Sequence, residues 1–320
     1  MMHALEVIVP GVHTTVQDRG RIGFQDVGVP ASGPLDRISF RLANALVGNP
    51  GGAPALEMLL QGPTMKVAAD SVRVALMGSK SSIEVRSGSG RLISAGQSAR
   101  LVRDDVFGVA ALGDSVCAYL AIEGGIDVPP VLGSASTYVR GGIGGIDGRR
   151  LRARDRVPLK LGRVDVLREH ALSHAFDLAL DQPIRIVLGP QADYFTEDAV
   201  QTLLSADYTV SPQADRMGYR LEGPTLAHAK GYNIVSDGIV SGSIQVPGSG
   251  KPILLMVDNQ TTGGYPKIAT VISADIPVVA RRKPGRAIRF VAVDVREAER
   301  LRREQEAALE EEMNNLRVME

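Results

Sequence analysis

The chain has 320 residues, a mass of 34.0 kDa and equal numbers of basic and acidic residues, 36 of each. This balance excludes the broadly basic surface with which proteins bind nucleic acid or anionic membranes. The single cysteine excludes an intrachain disulfide and a cysteine-rich zinc site. The sequence starts without a basic and apolar leader, and no apolar run is long enough to span a membrane. We therefore predict a cytoplasmic protein with no nucleic-acid or membrane partner.

Short β-branched segments separated by glycine and proline turns recur along the chain. They predict strands at 5–9, 71–77, 106–111, 118–122, 184–188, 253–257, 269–273 and 287–293. Spacings of about ten residues without alternating helices favour β-barrels or sandwiches over a doubly wound α/β sheet. The predicted fold class is mainly β with few helices.

Three segments have helical patterns. Residues 36–46 and 193–204 carry apolar side chains on one face. Residues from 296 to about 317 contain no proline or glycine and predict a C-terminal helix roughly 30 Å long. Its charged face is typical of solvent exposure, and docking onto a partner is the alternative interpretation.

Two short segments of the chain have similar sequences. Leu60–Thr64 and Leu221–Thr225 share a Gly-Pro-Thr ending before a β-rich stretch, which suggests two related halves or a chance similarity. We predict an N-terminal β-rich half at 1–175, a C-terminal barrel half at 176–293 and a helix at 294–320.

Common catalytic and metal-binding motifs are absent from the sequence. The segment Gly248–Lys251 lacks the spacing of a phosphate loop, so we expect little ATPase activity from this chain alone. His170 and His174 lie four residues apart without the glutamate of a zinc-protease motif, and we predict no metal site.

Polar residues and glycines instead concentrate in four clusters where strands are expected to end, at 14–36, 211–220, 236–247 and 258–267. Such loops offer donors and acceptors to a small polar ligand, and glycine allows the backbone to approach it. The alternative is ordinary turn chemistry, with Asp and Thr side chains bonded to their own backbones.

These clusters resemble the allophanate-hydrolase-subunit-2 family, also called the biotin-dependent carboxyltransferase family. The matching elements include Thr15–Asp18, Gly20-Arg21, Gly28–Pro30, Ser32–Pro34, Gly189–Gln191, Asp215–Leu221 and Gln260–Pro266. The resemblance extends from about residue 5 to 298. A local departure is the basic run Arg281–Lys283, which could change a partner surface.

The resemblance implies two cyclophilin-like β-barrel halves and a subunit-1-type partner protein. It favours a role as the C subunit of an ATP-dependent 5-oxoprolinase. In that role the subunit-1-type protein is the B subunit, a lactam-utilisation protein is the A subunit, and ATP is used at the level of the complex. One alternative is a carboxyltransferase that uses carboxybiotin on a separate carrier. Another is a regulatory protein that binds a kinase inhibitor without catalysis.

The lactam, urea and the ureido ring of biotin share a planar N–C=O group, whose reactions place charge on the carbonyl oxygen. Cations and carboxylates suit this chemistry, and the predicted catalytic residues are Asp258, Lys267, Asp215 and Arg216. The predicted substrate-binding residues are Arg21, Ser32, Asp36, Tyr219, Gln245, Gln260, Thr261, Thr262 and Tyr265. The rival interpretation is a structural ion pair, such as Asp215 with Arg216 or Arg220.

Overall fold

The computed structural model describes residues 3–88, 90–166, 169–174 and 181–319. The chain is mainly β with few helices, as the sequence predicts. Its described residues form two compact units. The first contains 3–22, the described part of 32–174, and 308–319, and the second contains 23–31 and 181–307. The predicted boundary at 175/176 lies outside the described residues, and the division into three segments stays a prediction.

The first unit consists largely of antiparallel strands. In chain order they are β1 (Ala4–Val9), β2 (His13–Gln17), β3 (Ala55–Leu59), β4 (Thr64–Val67), β5 (Ser71–Met77), β6 (Ser82–Val85), β7 (Arg91–Ser94), β8 (Ser98–Val102), β9 (Val106–Val109), β10 (Cys117–Ile122), β11 (Arg156–Pro158) and β12 (His170–Ala171). One sheet has the order β11-β1-β4-β9-β6-β7, and the other has the order β2-β3-β10-β5-β8.

Both sheets contribute side chains to one hydrophobic core. Leu5 and Phe107 come from the first sheet, and Leu56, Leu101 and Leu120 come from the second, all fully buried. Burying a side chain of this size contributes about 1.5–3 kcal/mol to stability. The strands β5 and β10, both predicted from the sequence, are buried at every position.

Helix α1 (Arg37–Leu46) packs on the second sheet through Phe40, whose ring meets that of Tyr119 edge to face at 5.8 Å. The helix begins after Asp36, whose carboxylate accepts hydrogen bonds from the backbone N–H groups of Ile38 and Ser39 at 3.0 and 3.1 Å. These bonds satisfy N–H groups that have no partner inside the helix. The predicted helix at 36–46 is confirmed, with Asp36 as its cap.

The second unit is built around one eight-stranded sheet. The strands of the unit are β13 (Ile184–Leu188), β14 (Tyr208–Val210), β15 (Gly218–Glu222), β16 (Asp237–Gly238), β17 (Ser243–Gln245), β18 (Ile253–Leu255), β19 (Thr262–Gly263), β20 (Lys267–Val271), β21 (Ala287–Ile288) and β22 (Phe290–Ala292). The large sheet has the order β21-β14-β15-β18-β17-β20-β13-β22, and β16 pairs with β19 in a separate ribbon.

The helices of the second unit differ in part from the prediction. Helix α2 covers Glu197–Ser205 and begins four residues later than expected, because Thr196 is extended and caps it through the N–H of Ala199. Helix α3 (Ile276–Arg281) has only six residues and was not predicted.

The C-terminal helix is confirmed as α4 (Val295–Asn314), but it is shorter than predicted. It ends before Arg317–Val318, which forms the short strand β23 and pairs with His170–Ala171. None of the described helices combines the length and the apolar character that crossing a bilayer requires.

Candidate active site

Lys267 lies at the start of β20, opposite Gln245 of β17. Ile244 pairs with Ala269 and Gln245 pairs with Lys267, which leaves Ile268 as an extra residue. This irregularity is a β-bulge, a feature that redirects side chains and recurs beside active sites. Because directly opposed residues project from the same sheet face, the bulge places Lys267 and Gln245 side by side.

The ammonium group of Lys267 has acidic and amide neighbours. Lys267 is 4% exposed, and its Nζ donates to a carboxylate oxygen of Asp237 at 2.5 Å and to the carbonyl of Gly238 at 2.8 Å. Gln191 donates from Nε2 to the same Asp237 oxygen at 3.3 Å and accepts from the backbone N–H of Lys267 at 3.1 Å. The hydrogen bond from Lys267 lowers the pKa of Asp237 below its usual range. Asp237 is therefore ionised at neutral pH.

Two glutamine side chains extend this arrangement. Gln260 donates from Nε2 to Oε1 of Gln245 at 3.3 Å, and Gln245 donates to the carbonyl of Tyr265 at 3.3 Å. Gln245 is buried, whereas Gln260 and Tyr265 are exposed. Gly263 allows this packing, since a Cβ there would lie 2.6 Å from Nε2 of Gln245. We refer to the following residues as the lysine cluster: Gln191, Asp237, Gln245, Gln260 and Lys267.

The threonines predicted to bind substrate support the lysine cluster through their backbones. Thr262 pairs with Gly238 in the ribbon of β16 and β19, and the carbonyl of Thr261 accepts from the N–H of Ile239 at 3.0 Å. This ribbon positions Asp237 next to Lys267. The observed contribution of Thr261 and Thr262 is to position the acidic partner of the lysine.

Arg216 and Asp258 form a second charged group in the same unit. The guanidinium donates to both carboxylate oxygens, from Nε at 2.8 Å and from Nη2 at 3.1 Å, and both residues are buried. The carboxylate of Asp215 instead accepts from the N–H groups of Met217 and Gly218 at 2.8 and 3.2 Å. A structural ion pair of Arg216 was the rival interpretation, and its observed partner is Asp258.

Of the remaining predicted substrate-binding residues, Tyr219, Arg21 and Asp36 have structural hydrogen-bond partners, whereas the buried hydroxyl of Ser32 has none among the described residues. Tyr219 in the second unit is buried and donates its hydroxyl to the carbonyl of Ala280 at 3.1 Å. Arg21, Ser32 and Asp36 belong to the first unit. Ser32 is buried with a left-handed φ of 54°. The structure thus groups Gln245, Gln260 and Tyr265 around Lys267, and it gives Tyr219 and Asp36 structural contacts.

Arg21 is fully buried and bonds to the loop that ends at Ser136. Its Nε donates to the carbonyl of Val131 at 3.0 Å, and its Nη2 donates to that of Ser136 at 2.7 Å. Both partners are backbone carbonyls, and a buried carbonyl needs a hydrogen-bond donor. These contacts order the loop at 131–136.

Asp18 holds the same loop from the other side. Its carboxylate accepts from the hydroxyls of Ser134 and Ser136 at 2.5 and 2.6 Å, and from the N–H groups of Ala135 and Gly20 at 2.7 and 2.9 Å. Burial alone would raise the pKa of Asp18, but these hydrogen bonds stabilise the charged form more strongly and lower the pKa.

Asp18→Asn is expected to reduce the free energy of unfolding at neutral pH by about 2–3 kcal/mol, because an amide N–H₂ then faces donors. A lowered pKa in the folded state stabilises the fold above the unfolded pKa of about 3.9 and loses that effect as pH falls through the folded pKa. The difference between the two proteins should therefore narrow below about pH 4. Urea unfolding at neutral and acidic pH measures this difference in the free energy of unfolding. A difference that does not change with pH would contradict the role of the ionised Asp18 carboxylate.

Comparison with known proteins places this architecture in a family. Residues 27–292 match the family model described as carboxyltransferase domain, subdomain A and B. The chain belongs to this carboxyltransferase-domain family. The predicted resemblance is confirmed, and the family match includes every residue of the lysine cluster.

Three relatives indicate how much of each protein the family domain covers. The 5-oxoprolinase C subunit of Escherichia coli (strain K12) is 37% identical over 311 residues, which are 96% of this chain and 97% of that protein. The urea amidolyase of Lachancea kluyveri is 33% identical over 339 residues, 96% of this chain but 18% of that protein. The crystal structure of the K. lactis urea amidolyase matches with a TM-score of 0.87 and 31% identity, covering 96% of this chain and 20% of that one.

Asp237 and Gln191 were not among the residues predicted to form the site. Both lie in segments that the sequence marks, Asp237 in the third polar cluster and Gln191 in the Gly189–Gln191 element. Their link to Lys267 joins residues 30 and 76 positions away along the chain. The residue types gave a signal in the sequence, but the contact of both residues with Lys267 depends on the pairing of β13 with β20 and of β16 with β19.

Proposed function

We propose that this chain is the C subunit of an ATP-dependent 5-oxoprolinase, which hydrolyses the lactam of 5-oxo-L-proline to L-glutamate. The observation that carries the proposal is the similarity to the E. coli protein of that name, because it extends over 96% of this chain and 97% of that protein. Urea amidolyases match over a fifth or less of their length, as one part of a larger protein. The proposed partners are a lactam-utilisation protein as the A subunit, with a subunit-1-type protein as the B subunit.

The lysine cluster supplies groups that this hydrolysis requires. Water adds to the lactam carbonyl, the C–N bond breaks, and the leaving nitrogen takes a proton to become the amino group of glutamate. Lys267 offers a cation for the oxygen that gains negative charge. Asp237 offers an acceptor for the lactam N–H, and its half-exposed carboxylate is accessible to solvent.

The amide groups of Gln245 and Gln260 orient a planar N–C=O group by neutral hydrogen bonds. Gln245 is fixed by its contacts to Gln260 and Tyr265, so its amide is held in place before a ligand arrives. Such preorganised dipoles stabilise a transition state without having to rearrange during the reaction. ATP would act at the level of the complex and make opening of the stable lactam favourable.

The second candidate function is carboxyl transfer from carboxybiotin to urea or another amide. The family description and the similarity to urea amidolyases support it. The sequence has no Ala-Met-Lys-Met type segment of a biotin carrier, so carboxybiotin would arrive on another protein. The same cluster suits this chemistry, because the ureido ring of biotin contains the same N–C=O group.

Reconstitution separates the two functions. The chain is mixed with both proposed partner proteins and ATP, and loss of 5-oxoproline and formation of glutamate are measured with and without a biotinylated carrier. We expect glutamate to form without the carrier and only when all three proteins are present. Strict dependence on the carrier would favour carboxyl transfer. ATP hydrolysis by the chain alone is expected to be negligible. Robust hydrolysis by the pure chain would contradict the proposal that ATP is used only by the complex.

A further inference from the structure

A cavity of about 290 Å³ lies beside the first residues of β13. Its charged lining consists of three arginines, Arg282, Arg286 and Arg289, and two aspartates, Asp181 and Asp207. Pro183, also in its lining, precedes β13, whereas Gln191 of the lysine cluster follows it. The five residues of β13 span about 17 Å at about 3.3 Å per residue. The cavity is therefore distinct from the lysine cluster.

Arg282 is a buried cation without a close carboxylate among the described residues. It is 6% exposed, and its terminal nitrogens donate to the backbone carbonyls of Ala287 at 3.1 Å and Gln182 at 2.7 Å. Its Nε finds no acceptor in the part of the chain that the structure describes. The nearest carboxylate in an ion pair is that of Asp181, 3.9 Å away on a side chain that is 91% exposed. Buried charges are normally compensated at shorter range, so this one favours an anionic ligand.

Neighbouring charges strengthen the positive character of the cavity. Burial lowers the pKa of Arg282, and the cations of Arg286 and Arg281 lower it further against the opposing effect of Asp181. Arg286 is exposed and makes no ion pair with any described carboxylate. Arg289 is different, because it forms a two-point ion pair with Asp207 at 2.8 and 3.0 Å. Arg282 and Arg286 thus remain as two cations without a short-range counterion among the described residues.

We propose that this cavity binds the phosphate group of a small molecule, either free phosphate or a nucleotide. Phosphate groups carry a charge of about −1.5 to −2 at neutral pH, which matches two cations better than the single charge of a carboxylate. Guanidinium groups also bond to two phosphate oxygens at once. Arg282 belongs to the basic run Arg281–Lys283.

Titration calorimetry of the full-length chain tests the proposal with inorganic phosphate, ADP and ATP at constant ionic strength. At least one probe is expected to bind with a dissociation constant of about 1 mM or lower. Arg286→Gln, on an exposed side chain that the fold does not need, is expected to weaken that binding by about tenfold or more. Arg300→Gln is the matched control, because Arg300 is an exposed arginine of the same unit that pairs with Glu297 and Glu304 on α4.

The probes also separate the two sources of phosphate. Equal affinity for phosphate and ATP assigns the site to the free anion, and a much higher affinity for ATP or ADP assigns it to a nucleotide. Absence of binding for all three probes would overturn the proposal. So would unchanged affinity in Arg286→Gln or an equal loss in Arg300→Gln.

Discussion

Lys267→Met is expected to reduce turnover of 5-oxoproline by the reconstituted assembly by about 10²–10³-fold, the usual effect of removing one donor to a developing oxyanion. Methionine keeps the length and apolar character of the lysine stem but removes the ammonium group. Its partner Asp237 is half exposed and is hydrated when the ion pair is lost. The folded state should therefore be retained, because an exposed carboxylate gains little stability from such a pair.

Lys230→Met is the matched control for this variant. Lys230 also pairs with an aspartate, Asp193, in the same unit, but both side chains are exposed and lie outside the lysine cluster. Its turnover should equal that of the unmodified chain. Thermal unfolding of both variants, together with co-purification with the partner proteins, separates loss of chemistry from loss of folding or assembly. Full turnover in Lys267→Met would remove the lysine cluster from the mechanism.

Asp258→Asn is expected to lower the free energy of unfolding by about 3–5 kcal/mol, because it leaves the buried Arg216 guanidinium without its carboxylate. The sequence predicted Asp258 to be catalytic, a role in which this change would reduce turnover and leave the protein folded. The two-point geometry and burial of the pair lead to a different expectation. A shift of the urea midpoint at an unchanged m value measures the loss.

A double variant distinguishes the ion pair from a catalytic role of Asp258. Arg216→Met combined with Asp258→Leu removes both charges, and it should be more stable than Asp258→Asn, because no uncompensated charge stays buried. If Asp258→Asn instead unfolds at the same urea concentration as the unmodified chain and has lost turnover, Asp258 acts in the reaction and the structural interpretation is wrong.

Much of the fold could be predicted from local patterns. The segments 71–77 and 184–188 are strands with the predicted ends, and Asp36 marks the start of a helix because its side chain caps the backbone locally. The failures also have local physical reasons. Helix α2 starts later than predicted because Thr196 is extended. Helix α3 has six residues and is too short to give a periodic pattern of apolar residues.

The candidate site was only partly predictable. The glycine-rich polar clusters include Lys267, Gln245 and Gln260, and the structure places Gln245 opposite Lys267 and in contact with Gln260. Whether these residues bind substrate stays a prediction. The strand predicted at 269–273 in fact starts at Lys267, and the identity of its acidic partner depends on Asp237 in a separate ribbon. Such pairings are set by strand register, which one sequence does not specify.

The extra residue at Ile268 has a consequence for how this protein tolerates change. Because Ile268 is already one residue too many for regular pairing, a one-residue insertion beside it would either enlarge the bulge or move Lys267 out of line with Gln245. Substitutions at neighbouring surface positions leave that alignment untouched. In this segment the position of Lys267 thus depends on the number of residues as well as on their type, and an added residue should be more damaging than exchange of a neighbouring surface side chain.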